Sequence, residues 1–307
     1  MPQRNVAFDA FTREYLETAR ARLRSFPILQ IYAKRWMAFF GAQPLRSILP
    51  LMLERYVAQR QQQVAPATVN RELAFVKRVF GIAVENALLE RSPAKPIKFL
   101  REPSGRVRFL SDEEEAALCA EVDKRDWPVV AFALNTGLRR GEQFNLRWEN
   151  VNLANRVLTI PRSKHGGVRH VQLNDTAMGI LRALPGRLHS RWVFPSATGK
   201  TPMSANNFRY RVFDRAVKAA KIEDFTWHDL RHTFASRLVM RGADLRSVQE
   251  LLGHKTLAMT LRYAHLSPAH LHQAVKLLDS GGTSGGSRTA QAGSSRVTQT
   301  TPKPAKS

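Results

Sequence analysis

Trp227 to Ser236 reads WHDLRHTFAS, with His228 and His232 four residues apart and Asp229 directly after the first. Two imidazoles at that spacing hold zinc in H-E-x-x-H peptidases, where the glutamate is the general base and a third ligand lies downstream. Here the acid is an aspartate, one methylene shorter, and Arg231 falls three residues after His228, on the same helical face. A permanent cation aimed at the place of a divalent metal opposes binding. Beside a histidine it suits a phosphate oxyanion, which the planar guanidinium grips with two hydrogen bonds. The stretch predicts an anion site, with no metal and no other cofactor.

Such a site needs further donors. "NTGLRRGE" supplies Arg139 at a glycine-containing turn that opens a helix, so backbone N–H groups and a guanidinium face an anion. "SKHGGVRHVQL" supplies Lys164, and "LLGHKTLAMTLRY" supplies His254 after a glycine and Tyr263 nine residues later. Taken singly, these residues have plainer readings. Arg139 and Arg140 are then surface charges, Tyr263 is a packing tyrosine, and His232 is structural. His265 either touches a ligand or packs. Arg60 reads as an ordinary surface residue.

The charge balance says what the anion is. Lysine and arginine outnumber aspartate and glutamate 48 to 25, for a net charge of +23. The excess is spread along the chain, with 19 basic against 8 acidic residues in 1–109 and 25 against 16 in 110–277. Such a field draws polyanions, and nucleic acid leads over an anionic membrane surface. No apolar run approaches the ~18–20 residues of a membrane span. No charged-then-apolar amino terminus marks secretion. The single cysteine, Cys119, makes neither an internal disulfide nor a Cys-rich zinc site. A cytoplasmic protein is expected.

The elements that must position these residues are mostly helical. From Phe8 to Ala94 apolar residues recur at three- and four-residue spacing, as in "TVNRELAFVKRVFGIAVENALL". There Thr68 reads as an N-cap with Glu72 near the first turn. Arg71, Lys77 and Arg78 project off the apolar stripe, as a solvated face or as contacts to a DNA backbone. Residues 91–114, rich in proline and basic residues, read as an interdomain linker. Ser111 with Glu114 makes a capping box that opens a second domain. There, residues 156–173 read as a β-hairpin with Lys164 at its turn. Helices are predicted around 176–184, 204–220, 229–241, 244–252 and 268–278, followed by a low-complexity tail.

In this order and at these spacings, Arg139, Lys164, His228 with Arg231, His254 and Tyr263 resemble the tyrosine recombinase (phage integrase) family, over about residues 8–278. The resemblance implies a mainly α fold with a small β-sheet in the catalytic domain, a two-domain DNA clamp. Its parts would be a helical core-binding (SAM-like) DNA-binding domain (1–97), a basic linker (98–110), a catalytic domain (111–278) and a disordered tail (279–307). It implies that Tyr263 is the nucleophile, forming a 3′-phosphotyrosyl bond, while Arg139 and Arg231 neutralise the non-bridging oxygens. Lys164 would be the general acid toward the 5′-oxygen, His228 would handle the proton of the nucleophile, and His254 would hydrogen-bond a phosphate oxygen. Glu142 and Asp229 would orient their neighbours.

The function implied is site-specific recombination of DNA without ATP, integrating or excising a phage or other mobile element. The implied partners are double-stranded DNA target sites, bound by a homotetramer on two sites, and accessory DNA-bending or directionality factors; no membrane is involved. Resolution of chromosome or plasmid dimers, a type IB topoisomerase, and a catalytically inactive DNA-binding regulator are the rival readings. The helix at 268–278 docks on a neighbouring protomer, as in the family, or packs on its own domain. Integrases that bridge distant arm sites carry an extra amino-terminal domain. The core-binding pattern here already starts at Phe8, which reads as a simple recombinase or one with accessory proteins.

Overall fold

The apolar spacing of the amino-terminal part folds into four helices, α1 (Phe8–Arg20), α2 (Phe26–Phe40), α3 (Pro50–Gln61) and α4 (Pro66–Glu85). The computed structural model describes residues 5–23, 26–102, 107–161, 167–185, 189–266 and 275–276. Lys164, the tail 279–307 and the carboxy-terminal helix expected at 268–278, apart from residues 275–276, lie outside the described residues. The chain divides into two compact units, Met1–Gly105 and Arg106–Ser307. None of the described helices is long and apolar enough to cross a membrane.

In the first unit the ring of Trp36 stacks on Tyr56 at 3.7 Å between centroids, and Phe8, Leu53, Leu73 and Phe80 close the core around them. α4 starts at Pro66, whose missing N–H is no loss in a first turn, behind Ala65. Thr68 is therefore inside the helix and not its cap. Glu72, expected beside that cap, is fully buried. Its carboxylate accepts from the Tyr56 hydroxyl at 2.7 Å and from Arg60 Nε and Nη2, both at 2.9 Å, and it pairs with Arg35. Its carbonyl accepts from Trp36 Nε1 at 2.8 Å. Burial pushes Glu72 up, but hydrogen bonds from Arg60 and Tyr56 prevail and hold it below the usual carboxylate range. Arg60 is thus not a surface residue but half of a buried ion pair. Arg71 is exposed, Lys77 lies half-buried over the Phe99 ring at 5.3 Å, and Arg78 pairs with Glu85 at 2.8 Å.

The second unit, like the whole chain, is mainly helical, with one small sheet. α5 (Asp112–Glu121) opens on the expected capping box, in which Glu114 N donates to Ser111 Oγ at 3.1 Å and Ser111 N to Glu114 Oε2 at 3.0 Å. α6 (Trp127–Thr136), almost wholly apolar, runs through the core and packs on α11 (Trp227–Met240). Between them come α7 (Arg140–Phe144) and an antiparallel sheet of β1 (Val151–Asn152), β2 (Val157–Ile160) and β3 (Arg169–Gln172) in the order β1-β2-β3, Ile160 pairing with Arg169. α8 (Asp175–Ala183) packs on α6.

The helix expected at 204–220 is broken into α9 (Ala205–Phe208), a π-helical turn over Arg209–Phe213, and α10 (Asp214–Ala219). Phe208 and Phe213, five residues apart, are both buried. An α-helix would aim them to different sides, whereas the wider i→i+5 turn brings them to one face. α12 (Leu245–Leu252) and two 3₁₀ segments, Leu257–Met259 and Leu261–Leu266, follow α11.

Arg60→Ala leaves the buried Glu72 carboxylate short of its bidentate partner, so the first unit should lose about 3 kcal/mol, the low end for breaking a buried ion pair. Urea unfolding measures this, with Arg13→Ala, whose side chain is 66% exposed, as the neutral comparison. Equal midpoints for the two variants would contradict the buried-pair assignment.

Candidate phosphate-binding site

Two helix ends form the floor of the site. α6 closes on Gly137 (φ 59°) and α12 on Gly253 (φ 62°), both left-handed C-caps. A side chain at either place would strain the backbone and displace a neighbour. A Cβ on Gly137 would lie 2.4 Å from Phe234 Cδ1, and one on Gly253 would lie 2.5 Å from Arg169 Cδ. The carbonyls at these ends carry the negative pole of each helix and attract cations. Arg231 Nη1 donates to Gly137 O at 2.6 Å and Nη2 donates to Leu252 O, while Arg139 Nη2 donates to Gly253 O at 3.1 Å.

Arg231 is 4% exposed. Burial first, then the fields of Arg139 and Arg169, push it below the usual arginine range. Arg139 is the N-cap of α7 and shares Glu142 with Arg169. Glu142 accepts from Arg139 N at 2.8 Å and Nη1 at 2.9 Å, and from Arg169 Nη1 at 3.0 Å and Nη2 at 2.9 Å. Two guanidiniums thus share one carboxylate beside the buried Arg231, an excess of positive charge that an arriving anion relieves.

α11 is fixed at its start by a capping box in which Asp229 Oδ2 accepts from Thr226 N and Oγ1, each at 2.7 Å. Asp229 therefore acts through the helix, by setting the first turn that carries His228, Arg231 and His232. The two imidazoles meet edge to face at 4.9 Å, and His232 Nδ1 lies 2.5 Å from the Tyr263 hydroxyl. Tyr263 is 1% exposed, its ring packed among Ala235, Val239, Val248 and Leu252.

Burial, and then the neighbouring His228, push His232 down to about 4. Burial, then Arg231 and Arg139, push His254 down to about 4 as well. Burial, then Arg231, also lowers His228. Burial raises Tyr263 against the pull of Arg231 and Arg262. At neutral pH the imidazoles of His232 and His254 are therefore uncharged. With its proton on Nε2, a neutral His232 accepts from the Tyr263 hydroxyl through Nδ1. His254 Nδ1 bonds the buried Thr260 hydroxyl at 2.9 Å, and when Thr260 is the donor the Nε2–H is left for a ligand. Among the described residues no three His, Cys, Asp or Glu side chains are grouped to hold a metal ion.

Of the residues expected from the sequence, Arg139, Glu142, His228, Arg231, His254 and Tyr263 come together, with Asp229 capping their helix. Three participants went unassigned. His232 follows His228 by one helical turn and, with Ala235 and Val239 on the buried face of α11, is more than packing, because it meets Tyr263. Arg169 shares strand parity with Val171 and Leu173, which both point into the core, and an inward arginine at a strand end is itself a signal. Arg262, exposed beside the tyrosine, acts by its field on all three histidines. His265 is exposed.

The Phage integrase family model matches residues 108–270. The integrase of Salmonella phage P22 is 36% identical over 235 residues, covering 72% of this chain and 59% of that protein, so the chain spans about three fifths of its relative's length. Among solved structures, the Tn1549 transposon integrase in complex with transposon right end DNA superposes with a TM-score of 0.74 at 19% identity, covering 89% of this chain and all of that one. A lambda integrase tetramer bound to a Holliday junction gives 0.71 at 18%, covering 82% and 78%. At these identities the structures establish the fold.

His232 and His254 titrate near 6.5 when unfolded and about 4 when folded. Their contribution to stability is then complete above pH 6.5 and is lost as pH falls toward 4, because the unfolded chain binds the protons first. The melting temperature should drop over that window, and His232→Asn should remove part of the drop. An unchanged pH dependence in the variant would contradict the assignment.

Proposed function

Because the chain belongs to the phage integrase family, we propose that it is a site-specific DNA recombinase that cuts and rejoins strands through Tyr263. The observation that carries this reading is the Tyr263 hydroxyl on a neutral His232, next to guanidiniums held by helix carbonyls. A phosphodiester repels nucleophiles by its own charge, and paired arginines offset that charge as it grows in the transition state. Arg139 and Arg231 take the non-bridging oxygens, and His254 adds a hydrogen bond.

The proton step has a threshold. Burial holds the tyrosine above its ordinary range and the histidine down at about 4, so transfer between them is strongly uphill at rest. It becomes favourable only as the new O–P bond forms, because an oxygen that gives its electron pair to phosphorus holds its proton less tightly. The tyrosine therefore stays protonated until a phosphate is seated. In the step itself the Tyr263 oxygen bonds to phosphorus, its proton passes to His232 Nδ1, the imidazole on its hydroxyl, rather than to His228 as the resemblance implies, and the bond to the 5′-oxygen breaks. The proton for that leaving oxygen is assigned to Lys164 on family resemblance alone. The phosphotyrosyl bond conserves the energy of the broken one, so rejoining needs no ATP.

The substrate is duplex DNA in the cytoplasm, and the task is integration or excision of a mobile element by a homotetramer on two sites. Accessory DNA-bending factors would add the architecture. The spread of positive charge over both units supports binding to the backbone, while base contacts select the site.

A duplex selected by binding from a random-sequence pool, nicked just beyond the cleavage position, traps the cleaved state because the short strand diffuses away. Wild type should give an SDS-resistant adduct at Tyr263. Tyr263→Phe should fold, bind the same duplex and give none. An adduct on another residue, or one that persists in the variant, would remove the assignment. Adducts on DNA without any selected site would favour a topoisomerase.

A further inference from the structure

Arg169 has no part in the chemistry above, yet it is built into the site more firmly than any other arginine except Arg231. Its side chain is 14% exposed, against 39% for Arg139, and it takes both oxygens of Glu142 in a parallel two-bond pair at 3.0 and 2.9 Å. Its stem lies where a Cβ on residue 253 would have to go, which ties the glycine before His254 to this arginine. Its Nε is buried without a hydrogen-bond partner, so its place is set by the carboxylate and not by a full set of contacts. Both of its Nη groups are turned to Glu142.

Its effect follows from a count of charge. Glu142 faces Arg139 as well, through Nη1 at 2.9 Å and the backbone N at 2.8 Å. With Arg139 alone, that carboxylate would cancel the guanidinium that has to meet a phosphate. With Arg169 present, the carboxylate is already neutralised, and Arg139 keeps its charge while still being oriented by the same oxygens. We propose that Arg169 is a positioning residue whose task is to occupy Glu142, so that Glu142 aims Arg139 without competing with the phosphate for it. Two arginines on one carboxylate make an aimed cation, whereas one on one makes a closed ion pair.

The inference rests on the reading of this site as the DNA-cleaving centre. It predicts an unusual sign. Arg169→Ala lets Glu142 capture Arg139, and the single-turnover rate of adduct formation on the nicked duplex should fall about 10–100-fold, the size seen when a group orienting a charged ligand is lost. DNA affinity should change little, since the Arg169 guanidinium is taken up by Glu142. Adding Glu142→Gln to that variant removes the competing charge and leaves an oxygen to accept from Arg139, so most of the rate should return. Arg169→Lys, which keeps the charge but not the fork, should fall between wild type and Arg169→Ala.

Thermal unfolding of each full-length variant separates loss of fold from loss of rate. If Arg169→Ala does not fold, Arg169→Gln with and without Glu142→Gln makes the same comparison. A folded double variant as slow as the single one, or slower, overturns the proposal and makes Arg169 a packing residue. No adduct from wild type on its selected site would sink the cleavage reading itself, and this inference with it. An adduct from wild type without rescue in the double variant removes this inference alone.

Discussion

A guanidinium that is 4% exposed has to be solvated by the protein, and the second unit is organised around doing so for Arg231. Removing such an ion from water costs several kcal/mol unless hydrogen bonds replace the water. The replacements are the carbonyl ends of α6 and α12, each at a left-handed glycine. That requirement fixes the close of both helices, the approach of Phe234 to Gly137, and the register of α11 set by Thr226 and Asp229. The same carbonyl edge then receives Arg139. Positive charge is concentrated without a matching number of carboxylates, and the remaining imbalance is what a phosphate would satisfy.

The tyrosine is the counterpart of this field. Its ring belongs to the apolar cluster between α11 and α12, and its hydroxyl is turned to an uncharged imidazole. Burial works against ionisation there, and the nearby arginines work for it. The balance leaves the phenol protonated in the absence of substrate. Burial thus restrains the hydroxyl proposed as nucleophile, and an arriving phosphate would supply what is missing. The Glu142 pair with Arg169 belongs to the same balance, since it decides how much of the charge on Arg139 stays available.

Much of this was legible in the sequence where spacing alone defines geometry. The capping box at Ser111, the helix expected from 229 (it starts two residues earlier, at Trp227), the two strands around the hairpin turn, and the glycines before Leu138 and His254 all depend on near neighbours. What was hidden depends on elements far apart in the chain. Glu72 looked like part of a helix cap, but it receives Arg60, twelve residues away, and Arg35, thirty-seven away, and no local rule links these. His232 was assigned no role because its partner lies thirty-one residues on, reached only when α12 folds back on α11. Arg169 lies in the sequence of a hairpin, and nothing near it points to its partner on α7. The π-helical turn at Arg209–Phe213 answers to two phenylalanines in the core and has no signature in spacing.

Under the proposed function the arginines act by charge on the phosphate and do not merely shape the site. A duplex with one neutral methylphosphonate at the cleaved position tests this directly. On ordinary DNA, Arg231→Ala should lose roughly 10²–10³ in the rate of adduct formation. On the neutral linkage there is little charge left to offset, so the gap between variant and wild type should shrink to a small factor. The same loss on both duplexes would contradict the account, because Arg231 would then be needed for the fold of the site and not for the charge it carries.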